Sequence, residues 1–420
     1  MATSSRKTAL TALSEVTENE GYSNIVIDKA IRAAGLSPRD AALASTIFYG
    51  VLEKRLTLDF YIRKFLAKPK QKLDGTVLNI LRIAVYQMMY LDRVPDSAAV
   101  NEAVLCAAGY RCGQYKNFVN GVLRSFARGW HEVIIPEDDL SVRYNIPQPI
   151  IESFKKDYGG TVCIELLKAM SERAETYIRI NPLKTTVDDL IESLPENTAE
   201  KAVLQNALCV HGTGDVTGLP GFAEGKFHVQ DLSSQLLCAF VSPQPGERLA
   251  DVCAAPGGKS FGSAIQMRGE GRVISCDVQE KKLRRIVEGA ARLGLGCIET
   301  RQMDARRPAE ELIGAADVVI ADAPCSGLGV IAKKPEIRFK SEAELAALPG
   351  IQLDILRGLA KCVKPGGTLL YSTCTTRKCE NEDVIAAFLS ENSGFEVQEM
   401  RTLWPDINDT DGFFVCRMVK

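Results

Sequence analysis

Two thiols in the last hundred residues carry the most chemistry in this chain. Cys325 lies in Asp322-Ala323-Pro324-Cys325-Ser326-Gly327 and Cys374 in Tyr371-Ser372-Thr373-Cys374-Thr375, each just past the end of an expected strand. Upstream, Asp251-Val252-Cys253-Ala254-Ala255-Pro256-Gly257-Gly258-Lys259 puts a glycine turn between an expected strand and helix. One thiol can attack as a nucleophile while a second manages a proton. With a nucleotide-sized cofactor beside them, this set suits methylation of a pyrimidine ring carbon.

That reaction has definite requirements. Carbon 5 of cytosine is a poor nucleophile. A thiolate added to carbon 6 turns the ring into an enamine, whose carbon 5 attacks an activated methyl. A base must then remove the carbon-5 proton so that the thiol can leave, and an acid must sit near ring nitrogen 3. Cys374 is read as the nucleophile, Asp322 as the group bonding nitrogen 3, and Cys325 as the base or release group. A free thiol titrates at about 8.5, so activation is needed, and Lys259 is a nearby cation for it. Cysteines are commonly small buried hydrophobes. Cys106, Cys163, Cys209, Cys238, Cys276, Cys297, Cys362 and Cys416 are placed in that class or left unassigned.

The glycine turn reads as a cofactor cradle. Glycines let backbone approach a ligand, and the helix that follows offers free N–H groups. The turn is neither Gly-x-Gly-x-x-Gly nor Gly-x-x-x-x-Gly-Lys-Ser/Thr, which disfavours a dinucleotide or a triphosphate. Asp277, closing the next strand, suits ribose hydroxyls. Asp304, after the third strand, can accept from an adenine amino group. A cofactor with adenine and ribose but no phosphate fits, and S-adenosylmethionine meets that description.

These residues need a sheet to align them. From Gly225 on, expected strands (248–253, 272–277, 298–303, 318–322, 368–372) alternate with expected helices (259–267, 281–294, 351–363, 381–390). Such short strands, apolar on both faces, imply a parallel sheet covered by helices, with ligands at its carboxyl ends. Segments 395–400 and 413–418 can close it as an antiparallel pair. Residues 6–130 read as helices throughout, punctuated by Pro38, Pro69 and Pro95. Pro136 to Pro149 reads as a linker. Helices at 150–158 and 162–171, a strand at 176–180, a helix at 187–193 and a strand at 203–210 follow. His211 to Gly225 reads as a loop.

Bulk properties agree with an ordinary globular chain. Its 420 residues exceed one compact core, and 46% hydrophobic with 25% charged content is typical. No apolar run reaches the roughly 18 residues of a membrane span, and Met1 to Leu10 has no secretory apolar segment. A cytoplasmic location is expected, with the 13 cysteines reduced. Without a Cys-x-x-Cys pair, and with only three histidines, no metal site is expected. Net charge is −2, yet residues 1–132 hold 18 Lys+Arg against 12 Asp+Glu. That basic end reads either as a nucleic-acid surface or as ordinary scatter for a helical domain. Lys68, Lys70, Lys72, Arg124 and Arg128, with Tyr110 and Tyr115 among them, read equally as RNA contacts or as a solvated surface.

Taken together, these segments resemble the Sun (RsmB-type) family of bacterial ribosomal-RNA cytosine-5 methyltransferases, over nearly the whole chain. Arg39-Asp40, Asp92-Arg93-Val94-Pro95, Ala98-Ala99-Val100-Asn101-Glu102 and Phe118 through Arg124 are similar to that family's N-terminal domain, itself like the antitermination factor NusB. Arg179 through Lys184, Leu219-Pro220-Gly221-Phe222 and Val229 through Gln235 resemble its middle segment. Two departures stand out: Thr375 replaces the usual serine after the nucleophile, and Lys333-Lys334-Pro335-Glu336 replaces arginines before Pro-Asp.

The resemblance implies an all-α NusB-like RNA-binding domain (1–132), a small α/β RNA-recognition segment (140–225) and a doubly wound, Rossmann-like methyltransferase domain (226–420). It implies methyl transfer from S-adenosylmethionine to carbon 5 of one cytosine of 16S rRNA, naked or in an early assembly intermediate, by a monomer. Cys253, Ala254, Ala255, Pro256, Gly257, Gly258, Lys259, Asp277, Asp304 and Asp322 would hold cofactor, and Cys374 would attack. Two rival readings are a DNA cytosine-5 methyltransferase, in which the cysteine of a Pro-Cys pair attacks, and a non-catalytic RNA-binding or antitermination module. The target base must leave any stack to reach Cys374, so unpaired or flippable RNA is expected.

Overall fold

A computed structural model describes residues 4–19, 23–110, 112–172, 175–212, 214–405 and 410–420. Two compact units result: residues 1–171 with 331–339, and residues 172–330 with 340–420. Met1 to Thr3 of the polar N-terminus and Thr213 of the expected 211–225 loop lie outside the described residues.

The first unit is helical: α1 (Ser5–Asn19), α2 (Ser23–Ala34), α3 (Pro38–Glu53), α4 (Arg55–Lys64), α5 (Gly75–Tyr90), α6 (Asp96–Gly109), α7 (Lys116–Gly129), α8 (Leu140–Tyr144) and α9 (Gln148–Ala169). Ser37 caps α3 and Asp74 caps α5 with side-chain oxygens on backbone N–H groups, which accounts for both starts. Phe48, Leu52, Leu81 and Phe126 are fully buried in a single apolar core. Inside it Arg82 grips Asp59 with two hydrogen bonds, 2.7 and 2.6 Å, so a buried cation is paired rather than stranded.

The expected linker at 136–149 is not one. Asn145 accepts from the Thr57 N–H at 3.0 Å and donates to the Thr57 hydroxyl at 2.8 Å, and Ile146 is fully buried. Three prolines and an acidic run mimic linker composition, but these contacts dock the segment on α4. The two helices expected at 150–158 and 162–171 are present: α9 consists of two helices that meet at a kink at Gly159, whose φ of +80° is not helical. Segment 331–339 joins this unit: Glu336 accepts from the backbone and hydroxyl of Ser23, and the Arg55 guanidinium lies 4.1 Å above the Phe339 ring.

The second unit holds two sheets. β1 (Thr176–Ile180), β2 (Ala199–Lys201), β3 (Ala207–Val210) and β4 (Phe227–Val229), with α10 (Val187–Ser193), form an antiparallel sheet of order β2-β3-β1-β4. The strand expected over 203–210 is shorter, because residues 203–206 form the turn from β2. The larger sheet has the order β10-β11-β9-β8-β5-β6-β7. Its strands are β5 (Arg248–Val252), β6 (Arg272–Asp277), β7 (Ile298–Gln302), β8 (Ala316–Asp322), β9 (Val363–Thr373), β10 (Glu396–Leu403) and β11 (Phe413–Val419). β9-β8-β5-β6-β7 run parallel, and β11 and β10 add an antiparallel edge. This is the doubly wound arrangement expected from the alternating segments.

Helices α11 (Leu232–Val241), α12 (Gly258–Gln266), α13 (Glu280–Leu293), α14 (Glu342–Leu359) and α15 (Glu382–Glu391) accompany it. α13 buries Leu283, Ile286, Ala290 and Leu293, an apolar stripe at helical spacing. α11 was not expected from the pattern. α14 starts nine residues before the expected Ile351, because Ser341 and Glu344 form a reciprocal capping box that launches it ahead of Pro349. Among the described residues, no helix is long and apolar enough to cross a membrane.

Candidate active site

The strand order reverses at β5, which has β8 on one side and β6 on the other. Ligand crevices form at the carboxyl ends of strands at such a point. On the β8 side, Asp322 stands opposite Ser372 of β9. The chain then leaves both strands in parallel, and Cys325 and Cys374 converge until their sulfurs are 3.3 Å apart.

Polar contacts fix both loops. The Ala323 N–H donates to the Ser372 carbonyl at 2.9 Å, and the Gly329 N–H to the Cys374 carbonyl at 3.0 Å. The Ser326 hydroxyl donates to that of Thr375 at 2.9 Å, and Lys340 donates to the carbonyls of Cys325 and Ser326. Beneath them lies fully buried Glu380, which accepts from the Ser326 N–H at 2.7 Å, Gln352 at 3.1 Å and Arg377 at 2.9 Å. Asn381 accepts from Thr373 at 2.6 Å and donates to the Thr375 carbonyl at 2.9 Å.

Charge is concentrated here. Lys259, from the first turn of α12, places Nζ 2.5 Å from Asp322 Oδ2, while Ser372 donates to Asp322 Oδ1 at 2.9 Å. Burial works to lower the Lys259 pKa, but the charges of Asp322, Asp251 and Cys374 overcome it, so the ammonium keeps its proton above the usual lysine range. The Cys325 thiol is pushed well above an ordinary thiol, first by its contact with Cys374 and then by burial. Cys325 thus holds its proton against the neighbouring sulfur.

The glycine turn has the shape its sequence implied. Cys253 adopts a left-handed φ of +67°, Ala255–Pro256 is a cis bond, and Gly257 has φ +110°. A Cβ on Gly257 would come within 2.5 Å of the Phe261 ring, so both conformation and space demand glycine. The Ala254 N–H donates to the Cys276 carbonyl at 2.8 Å, tying the turn to β6. Burial pushes the Cys253 thiol up to about 12, leaving it inert.

Asp277 ends β6 and accepts from the Gln279 N–H at 2.9 Å. Asp304 follows β7, and the Arg306 guanidinium and backbone N–H already bond its carboxylate, holding its pKa below the usual range. The strand-end alignment read from the sequence is therefore present, with an arginine on Asp304 that was not foreseen.

Below the turn sits a largely buried cluster of Arg179, His228 and Gln230; Arg179 and Gln230 fall within the middle segment read from the sequence, but none of the three was given a place at the site. Gln230 donates to the Gly258 carbonyl at 3.0 Å, and Arg179 donates to Gln230 Oε1 at 3.4 Å. A side chain on Gly262 would run into that guanidinium at 2.4 Å. His228 Nε2 lies 3.3 Å from the same Gln230 oxygen. Burial, and then the Arg179 charge, pull His228 down to about 3, so it stays neutral. Glu380 and Asn381 were missed as well. Their one sequence signal is a polar run, Thr375 to Asn381, continuing without a break from a buried strand.

Asp251, fully buried at the end of β5, accepts from Ser260 at 2.6 Å, and its other oxygen has no partner among the described residues. Burial pushes its pKa up to about 7. A raised carboxyl pKa means the folded chain holds the proton more tightly than the unfolded one, whose aspartates titrate at about 3.9. The associated stability is full below pH ~4 and lost as pH rises to about 7. Comparing Asp251→Asn with the parent by denaturant unfolding, the difference in unfolding free energy is expected to move in the parent's favour from pH 7 to pH 4. A pH-independent difference would contradict this ionisation.

Comparison with known proteins divides the chain in three. Residues 3–128 match the NusB family, residues 146–217 the ferredoxin-like domain of RsmF/B-like methyltransferases, and residues 238–419 the 16S rRNA methyltransferase RsmB/F family. The chain is 35% identical to the probable ribosomal RNA small subunit methyltransferase B of Bacillus subtilis, covering 100% of this chain and 99% of that protein. Identity to the ribosomal RNA small subunit methyltransferase B of Klebsiella pneumoniae is 32%, covering 92% of this chain and 91% of that one. Among solved structures, PH0851 superposes with a TM-score of 0.85 at 25% identity over 99% of this chain and 98% of that one. NSun6 of Pyrococcus horikoshii, solved with SFG, shares the fold at a TM-score of 0.58 and 21% identity, covering 65% of this chain and 98% of that one.

Proposed function

We propose a function from one premise: this chain belongs to the 16S rRNA methyltransferase RsmB/F family. It is a small-subunit rRNA methyltransferase, and its methyl donor is S-adenosylmethionine. Our reading of the finer chemistry is that the methyl goes to carbon 5 of a cytosine, through a transient bond between Cys374 and carbon 6.

The observation carrying this reading is the pair of sulfurs 3.3 Å apart beside the Lys259–Asp322 ion pair. Methylating an exocyclic amine or a ribose hydroxyl needs no thiol. Carbon-5 chemistry needs two groups of this kind, one to attack and one to clear the proton. Attack is assigned to Cys374, the cysteine that the resemblance marks as nucleophile, which leaves the proton to Cys325. The negative charge that develops on the ring as sulfur adds is met by the Lys259 ammonium, which Asp322 holds in place, and Asp322 is assigned to bond ring nitrogen 3 once that nitrogen carries a proton. Cys325 is assigned to the release step: as a thiolate it takes the carbon-5 proton, the carbon–hydrogen electrons re-form the 5,6 double bond, and Cys374 leaves carbon 6 as a thiolate.

The cradle fits the cofactor. Cys253 to Lys259 would line it, and Asp277 would meet ribose hydroxyls. Asp304 would accept from adenine beside Arg306, and Asp322 would lie where cofactor and base meet. S-adenosylmethionine, when bound, supplies a methyl made electrophilic by its sulfonium. We assign RNA contact to the helical residues 1–132 and RNA recognition to residues 140–225, ahead of methyl transfer by 226–420.

The test is incubation of small-subunit rRNA and, separately, duplex DNA with labelled cofactor and this protein, followed by nucleoside analysis. Label in 5-methylcytidine from rRNA, with none in DNA, is the expected result. Label in an N4-methylated or 2′-O-methylated nucleoside would overturn the carbon-5 assignment.

A further inference from the structure

The small antiparallel sheet carries a second group of chemically competent side chains, apart from the methyl-transfer residues. Its register puts Cys209 of β3 opposite Tyr177 of β1 and Glu200 of β2. Side chains alternate along strands. Glu175, two residues before Tyr177, and His211, two after Cys209, therefore share one face with Cys209 and Glu200.

On that face Glu175 Oε2 is 3.7 Å from Cys209 Sγ and 3.4 Å from His211 Nδ1. One ligand atom from each of the three residues falls within 4.8 Å of the others. A tetrahedral zinc has bonds of about 2.3 Å to sulfur and about 2.0–2.1 Å to nitrogen and oxygen, so its ligands stand about 3.3–3.5 Å apart. The two measured distances come close to such edges. The imidazole is also oriented from behind, with Nε2 lying 3.2 Å from Glu200 Oε1. A carboxylate on the far ring nitrogen of a histidine is the usual partner of a metal-bound imidazole, because it leaves the near nitrogen with its lone pair inward.

We propose that Glu175, Cys209 and His211 bind one borderline-soft divalent cation of the zinc class, with Glu200 orienting His211 and the fourth position open to water. A cation bound there takes Cys209 as its thiolate and releases the thiol proton to solvent. Bound there, it would clip β3 to the start of β1, in a sheet whose strands are only three to five residues long.

The test uses the full chain, stripped with a chelator and titrated with Co(II). One equivalent bound, with a thiolate-to-cobalt charge-transfer band displaced by Zn(II), is expected. Cys209→Ser should lose the band while keeping methyl transfer, which reports that it is folded. Glu200→Gln should keep the band and lose about 10–100-fold in affinity. Absence of the band in the parent, or its persistence in Cys209→Ser, overturns the site. Should Cys209→Ser fail to fold, His211→Ala carries the test, since cobalt affinity equal to the parent's would equally overturn it.

Discussion

Replacing Cys374 with alanine is expected to lower methyl transfer by about 10⁴–10⁶-fold, the scale seen when the nucleophile of a covalent mechanism is removed. Carbon 5 gains nucleophilicity only after sulfur has added to carbon 6, so no neighbouring group can substitute for that bond. The substitution removes one sulfur from a half-buried loop position. The backbone there is held by the Cys374 carbonyl and by Thr373 and Thr375, none of which it alters. Stability and cofactor affinity, followed by thermal unfolding and calorimetry, should stay at parental values. Transfer near the parental rate would remove Cys374 from the mechanism.

Cys325→Ala is expected to fail at the opposite end of the reaction. Turnover should fall by about 10²–10⁴-fold, the range for loss of a positioned acid or base. The enzyme should still attack and methylate, then stall with RNA attached. On a denaturing gel the variant, incubated with rRNA and cofactor, should run as a protein–RNA band, whereas the parent should not accumulate one. The double variant lacking both sulfurs should form none. Two substitutions 3.3 Å apart would thus give opposite covalent phenotypes, which a shared packing role cannot produce.

The parts of this site legible in the sequence are those set by local rules. β5, β6 and β8 are short and apolar on both faces, and β9 is buried over its last seven residues, so their ends could be located, and with them Asp277, Asp322, Cys325 and Cys374. The turn at Gly257 was legible because only glycine tolerates its backbone. What escaped depends on partners distant in sequence. Asn145 looks like linker until Thr57 is placed beside it, 88 residues away. Glu380 looks like a solvated helix start until Ser326, 54 residues back, donates to it. Gln230, Arg179 and His228 sit beside the cofactor turn from the small sheet, on β1 and at the end of β4, and carry no periodic signal. Glu175, Cys209 and His211 come together only through strand register, so a search for closely spaced cysteines passes over them. Arg306 on Asp304 is local, but nothing in the composition says which way its guanidinium turns.

The covalent step is tested most directly by digesting the Cys325→Ala adduct and locating the linked nucleotide by tandem mass spectrometry. The expected result is a methylated cytidine attached through sulfur to the peptide containing Tyr371 to Thr375, at Cys374. Attachment at any other residue, or a stalled enzyme carrying no nucleotide at all, would contradict the proposed route. In the parent, trapped with a cytosine analogue that cannot release, a link to Cys325 in the Pro324-Cys325 pair would transfer the nucleophile's role to that thiol.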